Sequence, residues 1–416
     1  MKNNRSLSIA QISRPALASD ATLSDSDALM LTQRVASPRI LQVLPALVMG
    51  GVERGTLDTA QALAQGGFQS FVASSGGPME RELTRNGSTH FDLPMHRKAP
   101  WSILANASRL IDLARRQKID LIHARSRAPA WAALIATRRC KLPFITTFHG
   151  TYRRNSPFKN WYNGVMVKGD KVIAISEFIA HHITQHYRID PSRITVIPRG
   201  VDEAIFDPAL VTQERMIALA QVWRVRDGAP IIMLPARFSR WKGHLTLLDA
   251  FRRMNNHDSV LVFVGSADKH GSFYQEVERR IAEHGLGERV RLGGECRDMA
   301  AAYALSDVVV SASLQPEAFG RVCAEASAMA RLVVATDHGG SRETILHKQS
   351  GYLVPPGDVT ALAQALDQAL MTNFETRKQM GHTGRAHILA KYTKKRMTAA
   401  TLALYEKALA ENKRGR

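Results

Sequence analysis

The sequence is short of cysteine, acidic residues, aromatic rings and long apolar runs, and each shortage excludes something. Its three cysteines, Cys140, Cys296 and Cys323, stand far apart in 416 residues, with no Cys-x-x-Cys. Their odd number and wide spacing argue against a disulfide framework or a zinc site and for a reducing cytoplasm. No uninterrupted apolar run reaches the roughly 18 residues that a bilayer span needs, and the N-terminus has no apolar signal core. A cytoplasmic protein is expected, soluble or peripheral on the inner membrane surface. Phe, Trp and Tyr make up only 6% of the chain, and no nucleic-acid module is visible, so nucleic acid is a poor partner despite the charge. No G-x-G-x-x-G with a downstream acidic partner follows a strand, which leaves nicotinamide chemistry without support.

Acid is the scarcest commodity relative to its counterpart: 37 Asp and Glu face 56 Lys and Arg, a net charge of +19. The excess is concentrated. From Arg85 to Arg199 there are 20 basic residues and 6 acidic ones, with pairs at Arg97-Lys98, Arg115-Arg116, Arg138-Arg139 and Arg153-Arg154. Such a field suits an anionic membrane surface or a phosphorylated acceptor, with a merely solvated surface as the plain alternative.

The length predicts two domains. Residues 1–38, rich in Ser, Ala, Asp and Asn, read as a disordered tail, and a tail cannot give its Asp25-Ser26-Asp27 the fixed geometry of a metal site. From Arg39 short apolar runs alternate with helical stretches. Strands are predicted at 40–44, 68–73, 90–93, 121–123, 144–147, 172–175 and 194–197, with helices at 56–64, 103–115 and 130–137. Pro198, Gly200, Asp202, Asp207 and Pro208 break the rhythm and mark a domain boundary. A second set follows, with strands at 231–235, 260–264, 290–292, 308–311, 332–335 and 352–354 and helices at 245–254, 273–283, 299–305, 322–330 and 361–370. The end, 377–413, is helical and basic with a gap near Tyr392. Strands alternating with helices imply βαβ units and parallel sheets, here in two doubly wound domains. The expected units are a tail (1–38), an N-terminal Rossmann-like domain (39–205), a C-terminal one (206–385) and a terminal crossing segment (386–416).

In doubly wound sheets, ligands bind beyond the carboxyl ends of the strands, and the unusual residues fall there. The turn Val48-Met49-Gly50-Gly51-Val52-Glu53-Arg54-Gly55 either brings backbone close to a ligand at a helix N-terminus or is simply a tight connection. His149-Gly150 ends the fifth strand, where an imidazole can meet a substrate hydroxyl. Arg237 ends the first strand of the second domain and Lys242-Gly243 opens the next helix, two cations able to meet phosphate in one cleft. His338-Gly339-Gly340 precedes another helix start, offering backbone N–H groups or only a turn. Finally, Glu317 and Glu325 stand eight residues apart, one in a strand-to-helix loop and one on a helix beginning near Phe319 or Gly320. Glu325 lies among Cys323, Ala324, Ala326, Ala328, Met329 and Ala330, so if buried it needs hydrogen-bond donors, which a ribose diol would supply.

This set resembles glycosyltransferase family 4, the retaining nucleotide-sugar enzymes of GT-B fold, over about Arg39 to Tyr392. The matching residues are Gly50-Gly51, His149-Gly150, Arg237 with Lys242-Gly243, Glu317 and Glu325 around Phe319-Gly320, and Gly339-Gly340 with Glu343. The resemblance implies an α/β GT-B architecture, two Rossmann-like domains facing across a cleft with C-terminal helices crossing back to the first. It implies a catalytic set of His149, Arg237, Lys242 and Glu317. Donor contacts would add Gly50, Gly51, a loop around Arg291 and Leu292 at the base, Phe319, Gly320 and Glu325, which takes the ribose. Gly51, Arg54, His149 and Arg199 would face the acceptor. Arg199 departs from the family, in which Asn commonly precedes the Gly of Arg199-Gly200-Val201-Asp202. No metal and no cofactor is implied; the nucleoside-diphosphate sugar is a substrate. The partners implied are that donor and a phosphorylated or lipid-linked glycan acceptor, with motif variants like those of lipopolysaccharide-core sugar transferases. The alternatives are a nucleotide-sugar-binding protein without catalysis, and a basic membrane- or nucleic-acid-binding protein with an incidental cleft.

Overall fold

The computed structural model describes residues 37–48, 50–152, 156–268 and 270–414. Nearly all of the expected tail, its Asp25-Ser26-Asp27, Met49 and the Arg153-Arg154 pair lie outside the described residues.

Among the described residues, thirteen parallel strands build two sheets. The first has seven strands: β1 (Arg39–Val43), β2 (Gln69–Ser74), β3 (Thr89–Asp92), β4 (Leu121–Ala124), β5 (Phe144–Phe148), β6 (Lys171–Ala174) and β7 (Ile194–Val196). Their spatial order is β3-β2-β1-β4-β5-β6-β7. The second has six: β8 (Ile231–Pro235), β9 (Val260–Val264), β10 (Val290–Gly294), β11 (Val308–Ser311), β12 (Leu332–Thr336) and β13 (Gly351–Val354), in the order β10-β9-β8-β11-β12-β13. Both orders reverse beside their first strand, between β1 and β4 and between β8 and β11, and each reversal opens a crevice at the strands' carboxyl ends. The central strands are continuous apolar runs because helices cover both faces. β8, β9 and β12 are buried at every position.

Most of the expected helices start earlier than their apolar periodicity does. The first runs Gly51–Gln65, because its opening turn is glycine and polar residues. The next long ones run Pro100–Arg116, with Pro in the first turn, and Arg127–Cys140. Four further helices, Glu80–Arg85, Pro157–Asn163, Glu177–His186 and Gln213–Trp223, have no counterpart in the sequence expectation, while the helix start expected after Gly340 is the short Ser341–Thr344. They are short or lack a sustained apolar stripe.

The chain end is a pair of helices, Phe374–Lys391 and Lys394–Arg414. Between them, Thr393 bridges to Val201: Val201 N–H donates to Tyr392 O at 2.8 Å, and Lys394 N–H to Val201 O at 2.8 Å. Gly200 is required here, since a Cβ on it would lie 2.4 Å from the Thr393 carbonyl. The last helix then packs on Gly51–Gln65 of the first domain. Its Tyr405 shares one buried apolar cluster with Ile40, Leu63, Leu121, Ile145 and Ile173.

Candidate functional site

At the second sheet's reversal, loops from β8 and β11 are tied together. Leu314 N–H donates to Trp241 O at 2.7 Å, and Gly243, with φ 77°, lets the β8 loop lie on the end of β11, where a Cβ would meet Ala312 O at 1.9 Å. This sets Lys242 Nζ 2.6 Å from Glu317 Oε1, with the two side chains only 16% and 13% exposed. Ser313 Oγ donates to the same oxygen at 2.6 Å. The Lys242 ammonium also lies 4.2 Å from the Trp241 ring centre. Arg237 is exposed at the mouth of β8.

Gly320, at φ 81°, caps the helix Arg321–Ala328, whose first amide groups have no intrahelical partners. Gly339 and Gly340 have a different task from offering bare amides. Gly340 N–H donates to Glu317 O at 2.8 Å, and a Cβ on Gly340 would lie 2.3 Å from the Phe319 carbonyl group. The glycine pair therefore seats the Glu317–Phe319 loop.

Glu325 is buried, and the chain itself supplies its donors. Arg321 Nη2 donates to Oε1 at 2.6 Å and Tyr303 Oη to Oε2 at 3.0 Å. The carboxylate raises the Arg321 guanidinium above its ordinary range, and burial together with Glu325 raises the Tyr303 phenol well above its own. Arg321, four residues before Glu325, is the signal that sequence reasoning passed over.

Arg291 and Leu292 lie within β10, an edge strand, rather than in a loop. The Arg291 guanidinium is spent on the carbonyls of Arg224, Gly287 and Val290.

On the facing domain, Glu53 curls over Gly50, where a Cβ would lie 2.4 Å from its carboxylate. Arg54 pairs with Glu82 rather than standing free. His149 Nδ1 is 2.9 Å from Arg199 Nη2, which also donates to Gly51 O at 3.0 Å. Burial first, then Arg199 and Arg125, hold the His149 imidazole well below its ordinary pKa. Burial and the neighbouring Arg125 and Arg321 bring the Arg199 guanidinium down to about 9. Behind them Arg125 is buried, donating to Gln42 Oε1 and Thr59 Oγ1, both at 2.8 Å. His123 spans Tyr405 Oη at 2.5 Å and Thr147 Oγ1 at 2.7 Å.

One contact between the domains is at a helix start. Ser176 Oγ donates to Ala318 O at 2.5 Å, while the Glu343 carboxylate accepts from the amides of Glu177, at 3.1 Å, and Phe178, at 2.8 Å. An acid at a helix N-terminus is favourable. Arg321 lies beside Gly51 as well, with Cδ 3.9 Å from where a Gly51 Cβ would stand.

Two facing doubly wound sheets, a cleft between their carboxyl ends and a cation–carboxylate cluster on the second domain define a GT-B glycosyltransferase. The chain belongs to glycosyltransferase family 4. The family model described as Glycosyltransferase Family 4 matches residues 49–205, and that described as Glycosyl transferases group 1 matches residues 217–387. A glycosyltransferase from Rickettsia africae is 37% identical, with a TM-score of 0.84 over 90% of this chain and 99% of its own. An N-acetyl-alpha-D-glucosaminyl L-malate synthase of Bacillus anthracis is 24% identical over 86% of this chain and 94% of its own. The Anabaena protein HepE, solved in complex with UDP-glucose, shares the fold at 22% identity, TM-score 0.77, over 88% of this chain and 99% of its own.

Proposed function

We propose that this glycosyltransferase moves a hexose, with retention of anomeric configuration, from a UDP- or GDP-linked donor to an anionic glycan or glycolipid acceptor of cell-surface synthesis, such as the lipopolysaccharide core. The observation that carries this reading is the Lys242–Glu317 pair at the reversal of the second sheet, beside the N-terminus of the Arg321–Ala328 helix. Breaking the glycosidic bond leaves negative charge on the departing diphosphate and positive character on the sugar. In this reading Arg237, Lys242 and the first amides of the Arg321–Ala328 helix meet the former, and cations held in advance stabilise the transition state without reorganising. Glu317 takes hydroxyls of the donor sugar, with His149 against that sugar from the other domain. Glu325, oriented by Tyr303 and Arg321, takes the ribose. The chain's own cations do this work, so no metal or cofactor is called for. Front-face attack, with the leaving phosphate accepting the acceptor's proton, gives retention.

The acceptor side is basic, and it also exposes large apolar residues. Trp101 and Leu104 are 74% and 60% exposed at the start of Pro100–Arg116, and Phe158 and Trp161 are 70% and 60% exposed on Pro157–Asn163. Rings and aliphatic chains among cations favour a lipid-linked acceptor at an anionic, cytoplasmic membrane face. Among the described residues no helix is long and apolar enough to cross a membrane.

Incubation with a panel of nucleoside-diphosphate sugars tests the reading. One donor should raise the melting temperature, by the equivalent of about 2.7 kcal/mol at 100 times its Kd, and release nucleoside diphosphate. Undiminished release in both Lys242→Ala and Glu317→Ala would overturn the assignment.

A further inference from the structure

Arg199 is a buried cation with no carboxylate in hydrogen-bond contact among the described residues, and it lies where the chain passes from the first domain to the crossover. Its Nη2 donates to Gly51 O and reaches His149 Nδ1, and its Nη1 fills the hollow above Gly55, where a Cβ would stand 1.7 Å away. A guanidinium carries donors only. The Nδ1 it touches must therefore present a lone pair, and the ring proton of the imidazole must sit on Nε2. That nitrogen is shut off from solvent and has no hydrogen-bond partner among the described residues. A buried N–H without an acceptor is costly, so it is a donor waiting for an oxygen. The groups facing the ring electrostatically are Arg199, Arg125 and His123, none of which competes for Nε2.

We infer that Arg199 is a positioning residue: it holds His149 in the single tautomer that points an Nε2–H donor at a hydroxyl or phosphate oxygen of the bound sugar donor. The part concerning the bound oxygen rests on the function proposed above. The hinge backbone sets the guanidinium's place, since the adjacent Gly200 and Val201 are clamped to Thr393 and Lys394. Donor geometry at His149 is thereby tied to the crossover that joins the domains.

The test uses the full chain labelled with 15N-histidine, without substrate. Long-range 1H–15N correlations near neutral pH, assigned by loss of the signal in His149→Gln, should show a pyridine-type Nδ1 and a pyrrole-type Nε2. Arg199→Met should release the ring into a tautomer mixture. Gly55→Ala keeps both residues and favours its helix, yet its methyl must push the guanidinium tip aside, and it should give the same mixture. In both variants kcat for nucleoside diphosphate release should fall by up to about 100-fold, with Arg199→Lys restoring part of it. An Nδ1–H signal in the wild type, or an unchanged spectrum and kcat in Gly55→Ala, would overturn the inference. The tautomer is read without turnover, so its failure is distinct from a failure to find a donor.

Discussion

Removing the ammonium of Lys242 separates what the cleft pair does for stability from what it does for turnover. Lys242 and Glu317 are both largely buried and 2.6 Å apart, so Lys242→Met leaves a carboxylate with Ser313 as its remaining side-chain donor. Breaking a buried pair on one side costs about 3 to 5 kcal/mol. Ser313 and residual access of water place this case near about 3 kcal/mol. Replacing Glu317 by Gln in the same chain removes the stranded charge, and Lys242→Met/Glu317→Gln should recover to within about 1 kcal/mol of the parent. In equilibrium urea unfolding the double variant should then be about 2 kcal/mol more stable than Lys242→Met. Turnover should behave otherwise. The single variant and the double variant both lack the cation beside the departing diphosphate, so both should lose about 10²- to 10³-fold in kcat. The reasoning is refuted if the double variant is no more stable than Lys242→Met, or if it turns over like the parent.

Three further outcomes are expected. His244, packed against Phe238, Phe263 and Phe273, is held down to about 4, chiefly by burial. Its folded pKa lies below the unfolded value of about 6.5, so its contribution is complete above that pH and is lost as pH falls toward 4, about 2 kcal/mol of it between 6.5 and 5. Urea unfolding of His244→Phe at both pH values should show the acid loss shrunk by about that amount; an equal loss in both proteins would count against it. Tyr303→Phe removes one of the two side-chain donors to Glu325 and should cost about 1 to 2 kcal/mol in unfolding, with a weaker thermal shift by the nucleotide donor. Glu343→Ala uncaps Glu177 and Phe178, which should cost about 1 kcal/mol and raise the radius of gyration in solution scattering as the domains part; identical scattering would sink this role.

All thirteen strands were legible, for a physical reason. Central parallel strands are covered on both faces and read as apolar runs, such as Val308-Val309-Val310, while the edge strands β3, β7 and β10, less buried, were legible from their place in the strand–helix alternation. The helices were less legible because their first turns are polar or glycine, as at Gly51, and because pieces such as Glu177–His186 are short. Part of the second-domain site was local enough to be read: Lys242 follows β8, Glu317 follows β11, and the reversal of strand order brings those two ends together. Glu325 was legible only as an acid that would need donors if buried, and the source of those donors was not legible. Arg321 stood one turn away, while Tyr303 reaches it from another helix.

What the sequence determined by itself was the alternation of strands and helices and the placing of glycines and charges at strand ends, since each depends on neighbours a few residues apart. What only the tertiary structure decided were contacts across long separations. Arg199 reaches back 50 residues to His149 and 148 to Gly51, Glu343 clasps a helix start in the other domain, and the glycines at 339 and 340 seat a loop rather than a ligand. Such contacts follow from how two sheets and a crossing helix pack together, and no local pattern of residues encodes the partner.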